Sequence, residues 1–369
     1  MAFRLSAFYF AFFAHAGAYV AYFPLYLASR GLSAAEIAWV LALPPLARTF
    51  APPAWGWLAD RSGAHRAIVV FSCAVMAVTF ALMPFTAQIA LLIAVMSLLS
   101  AGALPIVETI TLGSLAGQPG RYGPIRLWGS IGFIAVLLAG GGWLDFQPVS
   151  TLPAVLVALI AGTLAVALAL PAGGSHAATQ SPALRLTPEG CALLAAGFCN
   201  AVAHGALYAF LSLHLEALGY SATAIGMLWT LGVLAEIVVF LYLPQLFRRF
   251  ALSAILAASA ACGIVRFLAI GWAAGDVGIV LLAQLLHAAT FGSFHAASVA
   301  AVHRVFPESA HARGQTLFSG VTYGAGASAG VIISGWTWEQ GGAPFAFSAA
   351  ALAAAAGLLF ALRLKRAGL

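Results

Sequence analysis

The sequence predicts an all-α membrane protein: twelve transmembrane helices in two six-helix bundles with pseudo-two-fold symmetry. Three observations predict it. The 369 residues include only 16 Lys and Arg and 10 Asp and Glu, while 63% are hydrophobic and mean hydropathy is +1.01, a surface that water cannot keep in solution. Apolar stretches of roughly 20 residues, the length a helix needs to cross the hydrocarbon core, recur between short polar gaps. The second half of the chain also repeats the first.

Taken in order, the spans run approximately over 5–28, 34–59, 67–85, 88–116, 125–146, 150–171, 188–215, 222–246, 251–273, 277–304, 315–338 and 343–362. Alternate gaps and both termini hold Arg4, Arg61, Arg66, Arg121, Arg126, Arg185, Arg248, Arg249, Arg304, Arg313, Arg363, Lys365 and Arg366. The opposite gaps hold Arg30 as their one basic residue, beside Asp145, Glu216, Asp276 and Glu339. Positive loops stay in the cytoplasm, so both termini are expected there, in the inner (plasma) membrane of a bacterium. The net charge of +6 is spread along the chain, without the clustered footprint that nucleic acid requires. Cys73, Cys191, Cys199 and Cys262 have neither metal spacing nor a disulfide pattern and read as small apolar fillers; no metal and no cofactor is expected. The first apolar stretch is too long for a signal-peptide core and has no small-residue cleavage site behind it, so Met1 onward is expected in the mature protein.

One linker differs in character, 172–187, rich in Gly, Ser, Thr and Pro. It divides an N-terminal bundle, 1–171, from a C-terminal bundle, 188–369. A shift of 188 positions pairs Gly31 with Gly219, Ser33 with Ser221, Ala34 with Ala222, Ile37 with Ile225 and Ala47 with Ala235. An even number of spans in each copy gives both the same orientation, related by an axis along the membrane normal, as in one large class of secondary transporters.

Between the second and third spans stands Gly56-Trp57-Leu58-Ala59-Asp60-Arg61-Ser62-Gly63-Ala64-His65-Arg66. Asp60 at a helix end, with Arg61 and Arg66 beyond it, can form a charge-assisted clasp on the cytoplasmic side, and Gly63 permits the tight turn. The second-half equivalent keeps Arg248 and Arg249 but lacks the acid. This stretch resembles the G-x-L-A-D-R-x-G-x-x-R signature of the major facilitator superfamily. Within the superfamily the chain is similar to the phenylpropionate permease group, and more distantly to lactose permease, through 122–130 (Tyr-Gly-Pro-Ile-Arg-Leu-Trp-Gly-Ser), 219–236 and Gly263 to Arg266 followed by His287. The resemblance implies a proton-coupled symporter that works by alternating access, with a small-molecule substrate and a proton as partners, and a monomer.

Charges in the hydrocarbon are costly and normally face a cavity or a partner. Five stand within spans: Arg48, Glu108, Arg126, Glu236 and Arg266. Glu108, before the end of the fourth span, and Arg126, after the start of the fifth, come to similar depth on antiparallel neighbours and can pair, whether as a substrate site or as a permanent tie between helices. The resemblance to lactose permease, which carries an acid and an arginine at this separation, implies a substrate role. Trp128 can offer a ring face to a sugar or aromatic substrate, or be an interfacial tryptophan of the kind common in membrane proteins. The repeat sets Arg48 opposite Glu236 with opposite charge near the middle of the membrane, and a guanidinium there suits a carboxylate. An organic acid is the expected substrate; the alternative at this site is a permanent ion pair.

A carboxyl in the membrane can load and release a proton, and Glu236 is the best placed in the second half. His287 and Arg266 match a histidine and an arginine of the lactose permease coupling cluster, whose essential acid is replaced here by Thr290; Glu236 or Glu108 must therefore substitute. Of the other histidines, His204 ranks above His15 as a substrate contact, because the resembling group carries histidine near it; each can equally be a packed core residue.

Sugar or nucleoside symport and efflux by an antiporter of the superfamily stay open as alternatives, although such antiporters usually carry a Gly-Pro motif in span five, which here reads Gly129-Ser130-Ile131-Gly132-Phe133. An integral membrane enzyme would need clustered catalytic groups such as H-E-x-x-H. The sequence has no such cluster, and no enzyme activity is expected.

Overall fold

The structure is a computed structural model that describes residues 1–115, 119–172 and 186–366. Ala116, at the end of the fourth expected span, and 173–185, most of the expected linker with Arg185, lie outside the described residues, as do the side chains of Lys365 and Arg366.

Every regular element among the described residues is helical: α1 (Ala2–Ser29), α2 (Ala34–Ser62), α3 (His65–Leu82), α4 (Ile89–Ser100), α5 (Ala103–Ser114), α6 (Tyr122–Phe146), α7 (Leu152–Leu168), α8 (Pro188–Ala217), α9 (Ala222–Arg249), α10 (Leu252–Ala273), α11 (Val277–Leu285), α12 (Phe294–Val305), α13 (His311–Ser319) and α14 (Ala327–Arg366). Short π-helical turns, Ala288–Ser293 and Gly320–Gly326, join α11 to α12 and α13 to α14. Among the described residues, ten helical segments are long and apolar enough to cross a membrane, and one of them, Glu308–Leu364, has 57 residues. Inside it Gly342 has φ +67, a conformation that glycine alone adopts readily, and Pro344 follows. α2 is not among the ten. It carries Glu36, Arg48, Asp60 and Arg61 together with Pro44, Pro45, Pro52 and Pro53, and each internal proline removes a backbone donor.

The residues that repeat at 188 positions build the same turn twice. Gly31 and Gly219 have φ +81 and +87, the left-handed conformation that ends a helix. Ser33 Oγ then accepts the N–H of Glu36 at 3.3 Å, and Ser221 Oγ that of Ala224 at 3.1 Å, so each serine caps the helix that follows. Glu36 returns the bond to the Ser33 N–H at 2.8 Å, completing a capping box. Ile37 and Ile225, one turn on, are both buried.

The described residues form two compact units. Unit 1 is drawn from 1–31, 50–178 and 221–227; unit 2 is drawn from 32–49, 179–220 and 228–369. In unit 1, α1 packs on α6 because Gly132 lets the backbone of Phe10 come close, and Gly129 faces the Phe13 ring. Arg4 and Arg66 donate to Ala169 O at 3.1 Å and Leu170 O at 3.4 Å, which neutralises the negative end of α7. In unit 2, α8 and α14 meet at Gly205 and Gly330, where a Cβ on either would collide with the other helix's backbone. Close approach at small residues is how helices associate where lipid removes the hydrophobic drive.

Arg30, the basic residue on the acidic side, is tied down within unit 1. Its Nη1 donates to Tyr26 Oη at 2.7 Å and Met83 O at 3.0 Å, and its Nη2 to Thr86 O at 3.0 Å.

Candidate functional site

Unit 2 contains a buried polar network centred on Arg266 of α10, which is 0% exposed. A guanidinium without water must place its N–H groups on acceptors. Nε donates to Ala283 O at 2.8 Å, Nη2 to Gln284 Oε1 at 3.0 Å, and Nη1 to Thr290 Oγ1 at 2.9 Å. The same Nη1 is 3.1 Å from His287 Nδ1. His287 in turn sets Nε2 3.7 Å from Glu236 Oε2. Glu236, His287 and Arg266 thus form one chain from α9 to α10. Thr290, which stands where the resembling family has its acid, takes one of the arginine's donors.

The π-helical turn after His287 shapes this site. A Cβ on Gly292 would sit 3.0 Å from Glu236 Cγ, so the turn passes close to the carboxylate's stem. Such turns are frequent at functional sites. His287, Phe291 and His295 recur every fourth residue and stack in a column, with His287 and Phe291 rings 5.3 Å apart and nearly parallel. At its far end His295 Nδ1 meets Tyr323 Oη at 2.6 Å. Tyr208 and Trp229 stack at 6.0 Å, and Trp229 Nε1 donates to Ser212 Oγ at 3.0 Å.

His204 lies against this column, its ring 6.2 Å from that of His287 and edge-on to Phe267 and Phe291. Its Nδ1 is 2.8 Å from Asn200 O. A carbonyl oxygen only accepts, so the proton is on Nδ1 and Nε2 is a bare acceptor; that buried atom has no partner among the described residues. Arg48, also in unit 2, is exposed on α2. Its neighbour Thr49 packs against Gly320 and Gly324 of the second π-helical turn.

In unit 1 the guanidinium of Arg126 sits over the Phe13 ring at 3.9 Å and near that of Tyr9 at 5.6 Å. Glu108 and Arg126 feel each other's charge, but no ion pair within 4.0 Å joins them. Trp128 is 47% exposed and edge-on to Phe10. Of the clasp residues, Gly63 has φ +66, Asp60 Oδ1 lies 3.4 Å from His65 Nε2, Arg61 lies over the Trp57 ring at 5.5 Å, and Arg66 is spent on Leu170. Gly56, Asp60 and Arg61 line an open recess with Pro53 and Trp57.

Sequence reasoning placed His295 a turn or two beyond His287 but missed Phe13 and Tyr9 beneath Arg126, Gln284 beside Arg266, and the rings of Phe291, Tyr323, Tyr208 and Trp229. The fourfold spacing from His287 to His295 was the one available signal; the rest depends on which helices are neighbours.

The MFS_1 like family profile matches residues 2–349. A relative named "Probable 3-phenylpropionic acid transporter", from Escherichia coli (strain K12), is 31% identical over 228 residues, 60% of this chain and 60% of that relative's own length. The maltose permease of Geobacillus stearothermophilus is 27% identical over 343 residues, 90% of this chain and 86% of the permease. Among solved structures, the nucleoside transporter NupG superposes with a TM-score of 0.82 at 18% identity, covering 99% of this chain and 98% of the other. A bacterial homologue of the human lysosomal transporter Spinster gives 0.71 at 15% identity, covering 99% and 95%. At these identities the structural matches speak for the fold alone.

Proposed function

This chain belongs to the MFS_1 like family of membrane transporters, and from that premise we propose that it is a secondary active transporter that couples uptake of a small organic acid to a proton by alternating access. Twelve spans follow if Glu308–Leu364 is read as two helices meeting at Gly341 and Gly342 and α2 is added to the ten. In this reading both termini are cytoplasmic, the membrane is a bacterial inner membrane, and the two sequence halves, 1–171 and 188–369, are the repeated bundles.

The observation that carries the coupling is the Glu236, His287, Arg266 chain. Arg266 keeps the proton off His287 Nδ1, so His287 presents an N–H toward Glu236, and the carboxyl is the group that loads and unloads. Glu236 takes over the task that Thr290 cannot perform. The proposed substrate contacts are Arg126, Glu108 and Trp128 in unit 1, and Arg48 and His204 in unit 2. Guanidinium groups suit a carboxylate, and the aromatic lining around Arg126 and His204 suits a planar ring. The likeness to a relative named for 3-phenylpropionic acid supports this choice over a sugar or a nucleoside. The motif from Gly56 to Arg66 acts as a cytoplasmic clasp.

Uptake of labelled 3-phenylpropionate, maltose and uridine into proteoliposomes, with and without an inward proton gradient, tests the proposal. Wild type is expected to concentrate the aromatic acid under the gradient, and Arg48→Ala to take up little. Gradient-driven uptake of maltose or uridine alone would replace the substrate class; 3-phenylpropionate uptake that ignores both the gradient and the substitution would remove the reading.

A further inference from the structure

Two acids on the expected outer side have no part in that reading: Asp145, near the end of α6, and Glu339, in α14. Each reaches the N-terminus of another helix. Thr223 N–H of α9 lies 3.3 Å from both Asp145 Oδ1 and Oδ2, and Ala35 N–H of α2 donates to Glu339 Oε1 at 3.0 Å. Ala35 and Thr223 are equivalent positions of the repeat, each two residues past the serine cap. Both acids follow a glycine by four residues, in Gly141-x-x-x-Asp145 and Gly335-x-x-x-Glu339, and both glycines serve the contact. A Cβ on Gly141 would stand 2.6 Å from Ala222 O, and one on Gly335 would collide with Ala38.

The same two helix starts are the segments that part from the rest of their own helices. Residues 32–49 belong to unit 2 while the remainder of α2 belongs to unit 1, and residues 221–227 belong to unit 1 while the remainder of α9 belongs to unit 2. We propose that Asp145 and Glu339 are matched catches of one conformational cycle, each holding a helix start in its present unit through a carboxylate on orphan backbone N–H groups, and each released when that helix start changes neighbours. A carboxylate at a helix N-terminus is favourable because it satisfies donors the helix leaves over and faces the positive end of the dipole. Both acids are exposed, so the hold is weak enough to be broken in every turnover. The proposal rests on the transporter reading, but its test needs no transported substrate.

Spin labels on the full-length protein in nanodiscs, with the four native cysteines replaced by serine, report each catch. One pair, Phe146→Cys with Met227→Cys, lies in unit 1; the other, Trp39→Cys with Trp336→Cys, lies in unit 2; all four positions are exposed. Distances by double electron–electron resonance are compared for wild type, Asp145→Ala, Glu339→Ala and the double variant. Either single substitution is expected to enlarge a longer-distance population in both pairs by roughly two- to fivefold, as loss of one cap allows, and the double variant to enlarge it further. A change confined to the pair beside the substituted acid would mean a local helix cap, and no change would mean no hold; either result overturns the proposal. If an alanine variant fails to assemble, Asp145→Asn and Glu339→Gln serve for the same comparison with smaller shifts. Two-pair release in a protein that transports none of the three solutes would leave the catches standing and remove only the substrate reading.

Discussion

Arg266 Nη1 stands 3.1 Å from His287 Nδ1, and because a guanidinium only donates, that nitrogen of His287 carries no proton. Neutral His287 therefore keeps its single N–H on Nε2, the atom that faces Glu236 at 3.7 Å. A second proton on the ring would set donor against donor at Nδ1. Within the trio, the proposal therefore assigns a transported proton to the carboxyl, since the arginine already occupies the histidine.

Arg266→Lys is expected to abolish coupled uptake even though charge is kept. An ammonium cannot reproduce a fork that serves Ala283 O, Gln284, Thr290 and His287 at once. Each buried acceptor left without its donor costs about 1–3 kcal/mol, so the melting temperature in detergent should fall by several degrees. A variant with unchanged melting and unchanged uptake would show that the network is dispensable.

His204 separates a packing role from a binding role. His204→Phe retains the edge-on contacts to Phe267 and Phe291 and removes an acceptor that has no partner among the described residues, a burden of about 1–3 kcal/mol. Melting should therefore hold or rise, while the KM for 3-phenylpropionate rises about tenfold, the factor that about 1.4 kcal/mol of lost contact produces. Lower stability with an unchanged KM would make His204 a core residue.

The aromatic bed of Arg126 gives a third test. Phe13→Leu keeps an apolar neighbour and loses the ring face under the guanidinium, a contact worth about 0.5–2 kcal/mol. The lost contact should lower the melting temperature by a few degrees, and substrate affinity by titration calorimetry should weaken severalfold because the guanidinium is no longer held in place.

The sequence made part of this legible, for physical reasons. Low charge, long apolar stretches and basic gaps are dictated by the bilayer, and the turn from Gly31 to Ile37 and its copy from Gly219 to Ile225 depend on a positive φ and a serine cap that few other residues supply. The α2 segment was legible as the span 34–59 and is one helix, Ala34–Ser62, although four prolines and four charges dilute its hydropathy. Arg266 and His287 could be joined from the family resemblance, but Gln284 and Ala283 as partners of Arg266 could not, because their bonds depend on which face of α11 packs against α10. Glu108 and Arg126 read as able to pair, as a substrate site or as a tie between helices; in the structure the guanidinium lies over Phe13 and near Tyr9, and aromatic faces on α1 leave no spacing signal on α6. Asp145 and Glu339 looked like loop acids until Thr223 and Ala35 were seen against them.

Arg30 is expected to matter for stability and not for transport. Arg30→Met removes donors from Met83 O, Thr86 O and Tyr26, a loss of about 1–3 kcal/mol. Thermal unfolding should register it while the pH-gradient dependence of uptake stays as in wild type.

Proton movement itself tests the account most directly. Proteoliposomes loaded with a pH-sensitive dye, and given external 3-phenylpropionate without an imposed gradient, should show substrate-driven acidification of the lumen for wild type. Glu236→Gln should show none, yet still exchange labelled for unlabelled substrate. Concentrative, proton-linked uptake that survives Glu236→Gln would contradict the claim that this carboxyl carries the proton.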